Sequence, residues 1–382
     1  MLKVPFTVPS RTPDDFDLIS SAINSGEITG DGPYTKKAQL LLQKQLNNES
    51  GKVLLTTSCT HALEMAAILL NIAPGDEVIV PAMTHVATAH AVEHCGAVPI
   101  FVDIDIETGC IDPKLIEEKI TQKTKVIIVV HFIGLPCDMT SINAVAEKYN
   151  IDVIEDSATA LGAKHNNKFT GSCGKLGCFS FYPTKHITSL EGGMLTTDDD
   201  HVAAKVRSQR AFGYDKGLGE RQIAGVYDIA SLGWNYRMSE GHAAVGHVQL
   251  TRLPDFLEQR KKNAERLVAE LCKISGLSVM PLVHKQSHSS WYCVNIMVSE
   301  KLTKSRNELV GLLNAEGIGT SVHYPVALPN SAYYSRKYPI EKGKFSQAQH
   351  LAANTISLPC GPHVSDQGVG KMIEKINEIL SS

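Results

Sequence analysis

Two residues of complementary chemistry stand out in this sequence. Asp156 ends an apolar run, Val153-Ile154-Glu155-Asp156, and Lys185 follows twenty-nine residues later in Ser180-Phe181-Tyr182-Pro183-Thr184-Lys185. The stretch 156–193 reads as strand, loop and strand, with Glu191 and the Gly192-Gly193 pair ahead of the strand-like Met194-Leu195-Thr196-Thr197. A lysine amine can form a Schiff base with an aldehyde. A carboxylate can hold a pyridine nitrogen protonated, so that the ring draws electrons. The two groups therefore suit the two ends of a pyridoxal phosphate ring. An isolated Asp and Lys more often make a structural ion pair, so the reading turns on their surroundings.

Those surroundings supply further parts. Thr57-Ser58-Cys59-Thr60 follows a strand-like run over 52–57 and opens a helix expected over 61–70. Small hydroxyl residues at a helix start leave free N–H groups that suit a phosphate, although a plain N-cap needs the same residues. Val78-Ile79-Val80 reads as a buried strand ending at Pro81, followed by Ala82-Met83-Thr84-His85. A side chain just past such a strand lies on the site face of an open α/β sheet, and the flat imidazole of His85 can stack on a ring.

The elements that position these residues alternate. Helices are expected over 14–25, 35–46, 88–94, 113–120, 140–149 and 199–210, and strands over 98–102, 125–130 and 152–155. That alternation predicts a mostly parallel sheet covered on both faces. The Gly-rich, charged stretch 211–233 reads as a mobile loop. Beyond residue 250 a long charged helix over 253–274 precedes strands at 277–281 and 291–298 and helices over 304–316, 346–354 and 365–380. The expectation is an α/β protein of two domains, 1–250 and 251–382, the second a small α+β unit.

Composition narrows the class. At 382 residues the chain is long for one core, and 43% apolar with 20% charged residues is ordinary for a globular protein. A net charge of −3 provides no basic face for nucleic acid. The N-terminus carries no signal peptide pattern, and no apolar run approaches the ~20 residues that span a bilayer. Nine cysteines without paired spacing read as reduced, which points to the cytoplasm. Three other patterns carry no site. His85, His90 and His94 have no companion ligands, so no metal is expected. Cys173 and Cys178 have the wrong spacing for a zinc knuckle, and His284 and His288 read as solvated loop residues. No G-x-G-x-x-G follows a first strand.

Taken in order, GEITGDGPYTKKAQ, TTSCTHALEMAA, PGDEVIVPAMT, GAVPIFVDID, the D-x-A-x-A-x-G run from Asp156, GCFSFYPTKHITSLEGG, GWNYRMSEGHAAVGHVQL and IGTSVHYP resemble the DegT/DnrJ/EryC1/StrS aminotransferases. These are fold-type-I pyridoxal phosphate enzymes that act on nucleotide sugars. The first 130 residues are most similar to the 4-amino-4,6-dideoxy-sugar subgroup. The resemblance implies roles. Lys185 would be the Schiff-base lysine and the base that moves the proton, and Asp156 the partner of the pyridine nitrogen. Cys59, Thr60 and Ser180 would bind phosphate, and Asn235 would reach it from a neighbouring subunit, so the site would need a homodimer. Thr29, Asp31, Tyr34, His323 and Tyr324 would meet the nucleotide sugar.

Two positions depart from the family pattern. His85 stands where an aromatic residue usually stacks on the ring, and Thr159 stands where Gln or His is usual. His186 replaces a frequent Asn. The implied reaction moves an amino group from L-glutamate to a 4-keto-6-deoxy sugar carried on a nucleoside diphosphate. A 3-keto sugar or a cyclitol ketone is an alternative acceptor, and a cofactor-binding regulator without turnover is an alternative of another class. A histidine in place of Lys185 would mark the related sugar dehydratases.

Overall fold

Helices and strands alternate from the start of the chain: α1 (Pro13–Asn24), α2 (Pro33–Gln45), β1 (Lys52–Thr56), α3 (Cys59–Leu69), β2 (Glu77–Pro81), α4 (Val86–His94), β3 (Val98–Val102), β4 (Thr124–Val130), α5 (Met139–Tyr149) and β5 (Asp152–Asp156). A hairpin of β6 (Lys164–His165) and β7 (Lys168–Phe169) leads to β8 (Leu176–Ser180), β9 (Gly193–Thr197), α6 (Asp200–Gln209) and α7 (Glu240–Thr251). Then come α8 (Leu253–Leu271), β10 (Leu277–Val279), the hairpin β11 (Val283–His284) and β12 (Ser287–His288), β13 (Val294–Val298), α9 (Arg306–Ala315), α10 (Ala332–Lys337), α11 (Ser346–Asn354), β14 (Thr355–Leu358) and α12 (Asp366–Ser381). This computed structural model describes residues 2–10, 12–46, 52–217, 220–223, 225–339 and 343–381.

Seven strands form one sheet in the order β1-β9-β8-β5-β4-β2-β3. All run parallel except β9, which pairs antiparallel with β1 and β8. Strands covered on both faces read as continuous apolar runs, and Val126–Val130 in β4 is buried throughout. Register places Val130 beside Asp156, and Asp156 beside Cys178. The carboxyl ends of β2, β4, β5 and β8 therefore share one edge. From that edge emerge the loops carrying His85, His131, Thr159 and Lys185, which is where open α/β sheets hold their ligands.

A second sheet, β10-β13-β14, packs against α8, α9 and α11, and α12 packs on α8 and α9. The buried face of α8 (Leu253, Phe256, Arg260, Asn263, Ala264, Leu267 and Leu271) repeats at helical spacing. We propose the bend between α7 and α8 as the division between two domains, as the change of pattern at residue 250 suggests. Both cores draw on both sides of it. Val4 packs in the second core, and Tyr292, Tyr334 and Phe345 pack in the first.

Four local expectations change. Residues 113–120 form two 3₁₀ turns instead of one helix. Asp112 caps the first turn, and Ile116 is drawn fully into the core, so too few residues remain to nucleate an α-helix. His284 and His288 lie on a hairpin that extends β6 and β7 into a four-stranded ribbon, and they are not free loop residues. The stretch 156–193 contains β6, β7 and all of β8. Helix α7 was not foreseen, because Gly241 and Gly246 interrupt its pattern. Residues 218, 219 and 224 of the stretch 211–233 lie outside the described residues; its remainder bridges Tyr214 to Ile229, and Ala211 bridges Asn235 beyond it.

Candidate active site

Asp156 is the last residue of β5 and is 4% exposed. Its Oδ2 accepts from the Thr88 hydroxyl at 2.7 Å, and its Oδ1 accepts from the Ala158 N–H at 3.1 Å. A buried carboxylate needs such donors. The preceding residue, Glu155, faces the other way. It is fully buried and accepts from His131 Nε2 at 2.8 Å and from the amides of Gly171, Cys173 and Gly174. Alternation along the strand thus sends one acid to the site and the other to a structural cage.

Helix α3 begins beside this edge. The Ser58 hydroxyl accepts from the His61 N–H at 3.1 Å. The amides of Cys59 and Thr60, in the first turn, have no intrahelical acceptor and form an anion site by construction. Gly193 makes this possible. A Cβ there would stand 2.4 Å from the Ser58 carbonyl carbon and 2.5 Å from the Cys59 nitrogen. Gly193 pairs with Ser180 across β9 and β8, so Ser180 joins Cys59 and Thr60. Burial, then the Asp156 charge, raises the Cys59 thiol well above its usual range. Cys59 is thus a neutral wall residue, and the group it offers is its backbone amide.

Lys185 lies on the loop after β8, its N–H donating to the Tyr182 carbonyl at 2.9 Å. Its Nζ stands 5.2 Å from the centre of the Tyr292 ring. From Tyr292 a wall of rings continues: His323 at 5.6 Å, Tyr324 beyond it at 5.5 Å, and His85 against Tyr324 at 5.9 Å. Burial and the Lys185 charge push His323 down to about 4, and burial lowers His85 against the opposing pull of Asp156. Burial also raises the Tyr324 hydroxyl. His323, His85 and Tyr324 are therefore uncharged at neutral pH. His85 Nδ1 accepts from the Ala87 N–H at 3.2 Å, which leaves the proton on Nε2. His186 is buried, and its Nε2 donates to the Ser290 carbonyl at 2.9 Å. Burial and Arg260 hold it well below the usual histidine range, and its hydrogen bond ties the lysine loop to the segment ahead of β13 that carries Tyr292.

A sequence model of the DegT/DnrJ/EryC1/StrS aminotransferase family matches residues 9–377. The chain belongs to this family. The spore coat polysaccharide biosynthesis protein SpsC of Bacillus subtilis is 34% identical, over 99% of this chain and 97% of that protein. A putative sugar aminotransferase of Streptococcus pneumoniae, in its PMP form, superposes with a TM-score of 0.92 at 30% identity, covering 99% of each chain. An aminotransferase from Psychrobacter cryohalolentis gives 0.91 at 29% identity, again covering 99% of each chain. The protein is an aminotransferase that uses pyridoxal 5′-phosphate.

The residues of this aminotransferase fit that cofactor. A buried acid, a lysine, a helix N-terminus stripped of side-chain bulk at Gly193 and a wall of flat rings meet at one sheet edge. Thr159, in the turn after β5, is buried, and its hydroxyl donates to the His131 carbonyl at 3.2 Å. Asn235 is exposed, and its Oδ1 accepts from Arg237 at 3.4 Å. Thr29 is exposed. Asp31 pairs with the buried Arg210, and the Tyr34 hydroxyl donates to Ser21 at 3.1 Å. Their loop is held by Glu240, which accepts from the amides of Gly32, Tyr34 and Thr35. Among the described residues no hydrogen bond or ring contact joins Asn235, Thr29, Asp31 or Tyr34 to Lys185. A cavity of about 270 Å³ lies elsewhere, lined by Asp105, Asp138 and Lys285 among others.

Sequence reasoning missed Tyr292, Thr88 and the anchoring by His186. Thr88 had a local signal, Thr84 and Thr88 at helical spacing beside His85. Tyr292 had none, since it meets Thr184 across 108 residues.

Proposed function

We propose that this aminotransferase moves an amino group from L-glutamate to a 4-keto-6-deoxy sugar carried on a nucleoside diphosphate, giving a 4-amino-4,6-dideoxy sugar. The observation that carries this reading is the meeting of Lys185, Asp156 and the α3 N-terminus at one sheet edge. The chain holding them is similar along its length to a sugar aminotransferase and to a polysaccharide biosynthesis protein. The C4 position rests on the likeness of the first 130 residues to that subgroup.

When bound, pyridoxal phosphate supplies the group that carries the amine and a ring that draws electrons from the reacting carbon. The chain's own residues do the rest. The Cys59 and Thr60 amides and the Ser180 hydroxyl bind the phosphate. Asp156 holds the proton on the pyridine nitrogen, and His85 packs on the ring face. Thr159 borders the same ring. Lys185 Nζ takes and returns the proton at the carbon that loses or gains nitrogen, which serves both half-reactions. His323, Tyr324, Thr29, Asp31 and Tyr34 receive the sugar nucleotide. Asn235, exposed in its own chain, completes the phosphate site of a second copy, so the enzyme works as a homodimer. Nine free cysteines support a reducing, cytoplasmic setting. Surface polysaccharide biosynthesis, such as O-antigen, is the setting in which such a product is used.

The test is spectroscopic first. Purified enzyme is scanned before and after L-glutamate, then offered 4-keto and 3-keto sugar nucleotides and a cyclitol ketone. A visible band that glutamate collapses and the 4-keto sugar restores supports the reading. Restoration by a 3-keto sugar alone moves the reaction to C3. Cofactor binding without any exchange would make the protein a regulator.

A further inference from the structure

The Thr88 hydroxyl donates to Asp156, and the order of protons behind it is fixed. An ionised carboxylate has only lone pairs, so the 2.7 Å contact between Thr88 Oγ1 and Asp156 Oδ2 requires the proton of Thr88. Thr88 Oγ1 is then left as an acceptor. Thr84 Oγ1 stands 2.7 Å from it, closer than the 3.3 Å to the His85 carbonyl. Thr84 therefore donates to Thr88, and Thr88 to Asp156. Thr84, Thr88 and Asp156 are 3%, 0% and 4% exposed, so solvent does not substitute for either hydroxyl. The relay also spans His85. Thr84 precedes it and Thr88 lies in the first turn of α4, which His85 caps.

We propose that Thr88, fed by Thr84, is a positioning residue that fixes the rotamer of Asp156 and sets how strongly it holds the proton on the cofactor's ring nitrogen. This rests on the reading of Asp156 as the partner of that nitrogen. Each hydrogen bond to a carboxylate weakens its claim on a proton. Without Thr88 the carboxylate keeps one N–H donor and draws the shared proton toward itself, and the ring loses electron-withdrawing power. The titratable and charged groups facing Asp156 are Cys59 of α3, Cys178 of β8, His85 before α4 and Tyr324. Lys185 acts on Cys59 and His85 from the same space. All of these are left in place by the variants below.

Thr88→Val keeps the shape of the side chain and removes the donor. The readout is the visible absorption of the bound cofactor titrated against pH in the holoenzyme, with kcat and the KM for glutamate alongside. The expected result is a midpoint displaced by about one unit and a kcat reduced about tenfold, with KM little changed. Thr88→Ser restores both. Loss of packing alone would lower thermal stability without moving the midpoint. A Thr88→Val enzyme with the wild-type midpoint and kcat overturns the proposal. Asp156→Asn run in parallel separates the two readings. If it moves the midpoint and Thr88→Val does not, only the role of Thr88 has failed. If neither moves it, the role of Asp156 has failed as well. Should Thr88→Val not fold, Thr84→Val decides: a midpoint displaced in the same direction supports the relay, and an unchanged one overturns it.

Discussion

At the scale of single residues the candidate groups were legible where they depended on residue type at short spacing. An isolated acid and lysine more often pair structurally, so Asp156 and Lys185 stood out only through their neighbours, and the structure places both at the carboxyl edge of the sheet. Replacing Lys185 with Ala removes the amine proposed to move the proton. Turnover should fall by roughly 10⁴-fold or more while the melting temperature stays near wild type, as measured by steady-state assay and calorimetry. Tyr292 was not legible, since its place beside Lys185 depends on the segment ahead of β13, which arrives late in the chain. Its neighbour His323 gives a pH test. A histidine in the unfolded chain takes its proton near the usual 6.5, whereas His323 in the folded chain does so at about 4. Between these values the unfolded state binds the extra proton, so stability rises with pH across that window. The contribution is whole above pH 6.5 and lost as pH falls toward 4. A shift of this size corresponds to roughly 3 kcal/mol. Melting curves at pH 7.5, 6 and 5 should therefore fall more steeply for wild type than for His323→Gln. Parallel curves would mean that the fold does not hold this ring neutral.

At the scale of elements the sequence was most informative for the parallel strands, whose apolar runs have one structural meaning. It was weakest where tertiary context overrides local pattern. Strand β8 carries Gly177 and Cys178 and pairs on both sides, which no local propensity shows. The loop 29–35 looked like a ligand loop, but its anchor, Glu240, lies 205 residues from Thr35. The proposed phosphate site belongs to this scale as well, since the start of β9 must pass close to the start of α3. Gly193→Ala would place a methyl where the Ser58 and Cys59 backbone now stands, and one of the two must move. Binding of pyridoxal phosphate to the cofactor-stripped protein, followed by fluorescence, should weaken roughly tenfold or more. Gly241→Ala, which meets nothing within 4 Å, is the control and should bind as wild type does. Equal affinity in both variants would separate the phosphate from α3.

At the scale of the whole molecule, one chain leaves unusual apolar surface open. Phe16, Ile23, Ile28 and Leu40 near the first two helices are more than half exposed, and so are Ile223, Val226, Ile229 and Leu232. Large patches of this kind mark contact surfaces. The second group precedes Asn235, the residue proposed to serve another copy, so the surface that joins two copies and the residue that completes the second site would arrive together. The sequence held these residues but not their exposure, which exists only once the sheet has claimed the other apolar runs. Complementation tests the idea. Lys185→Ala and Asn235→Asp are each expected to be inactive as homodimers. Unfolded together and refolded at equal amounts, half of the dimers are mixed, and each mixed dimer has one site with both native residues. Activity should return to about one quarter of wild type, as statistics require for a two-fold symmetric pair. Mixing without refolding should restore less, because exchange is limited by subunit dissociation. If refolded mixtures stay inactive while Asn235→Asp alone has lost activity, Asn235 serves its own chain, and the apolar surface has another occupant.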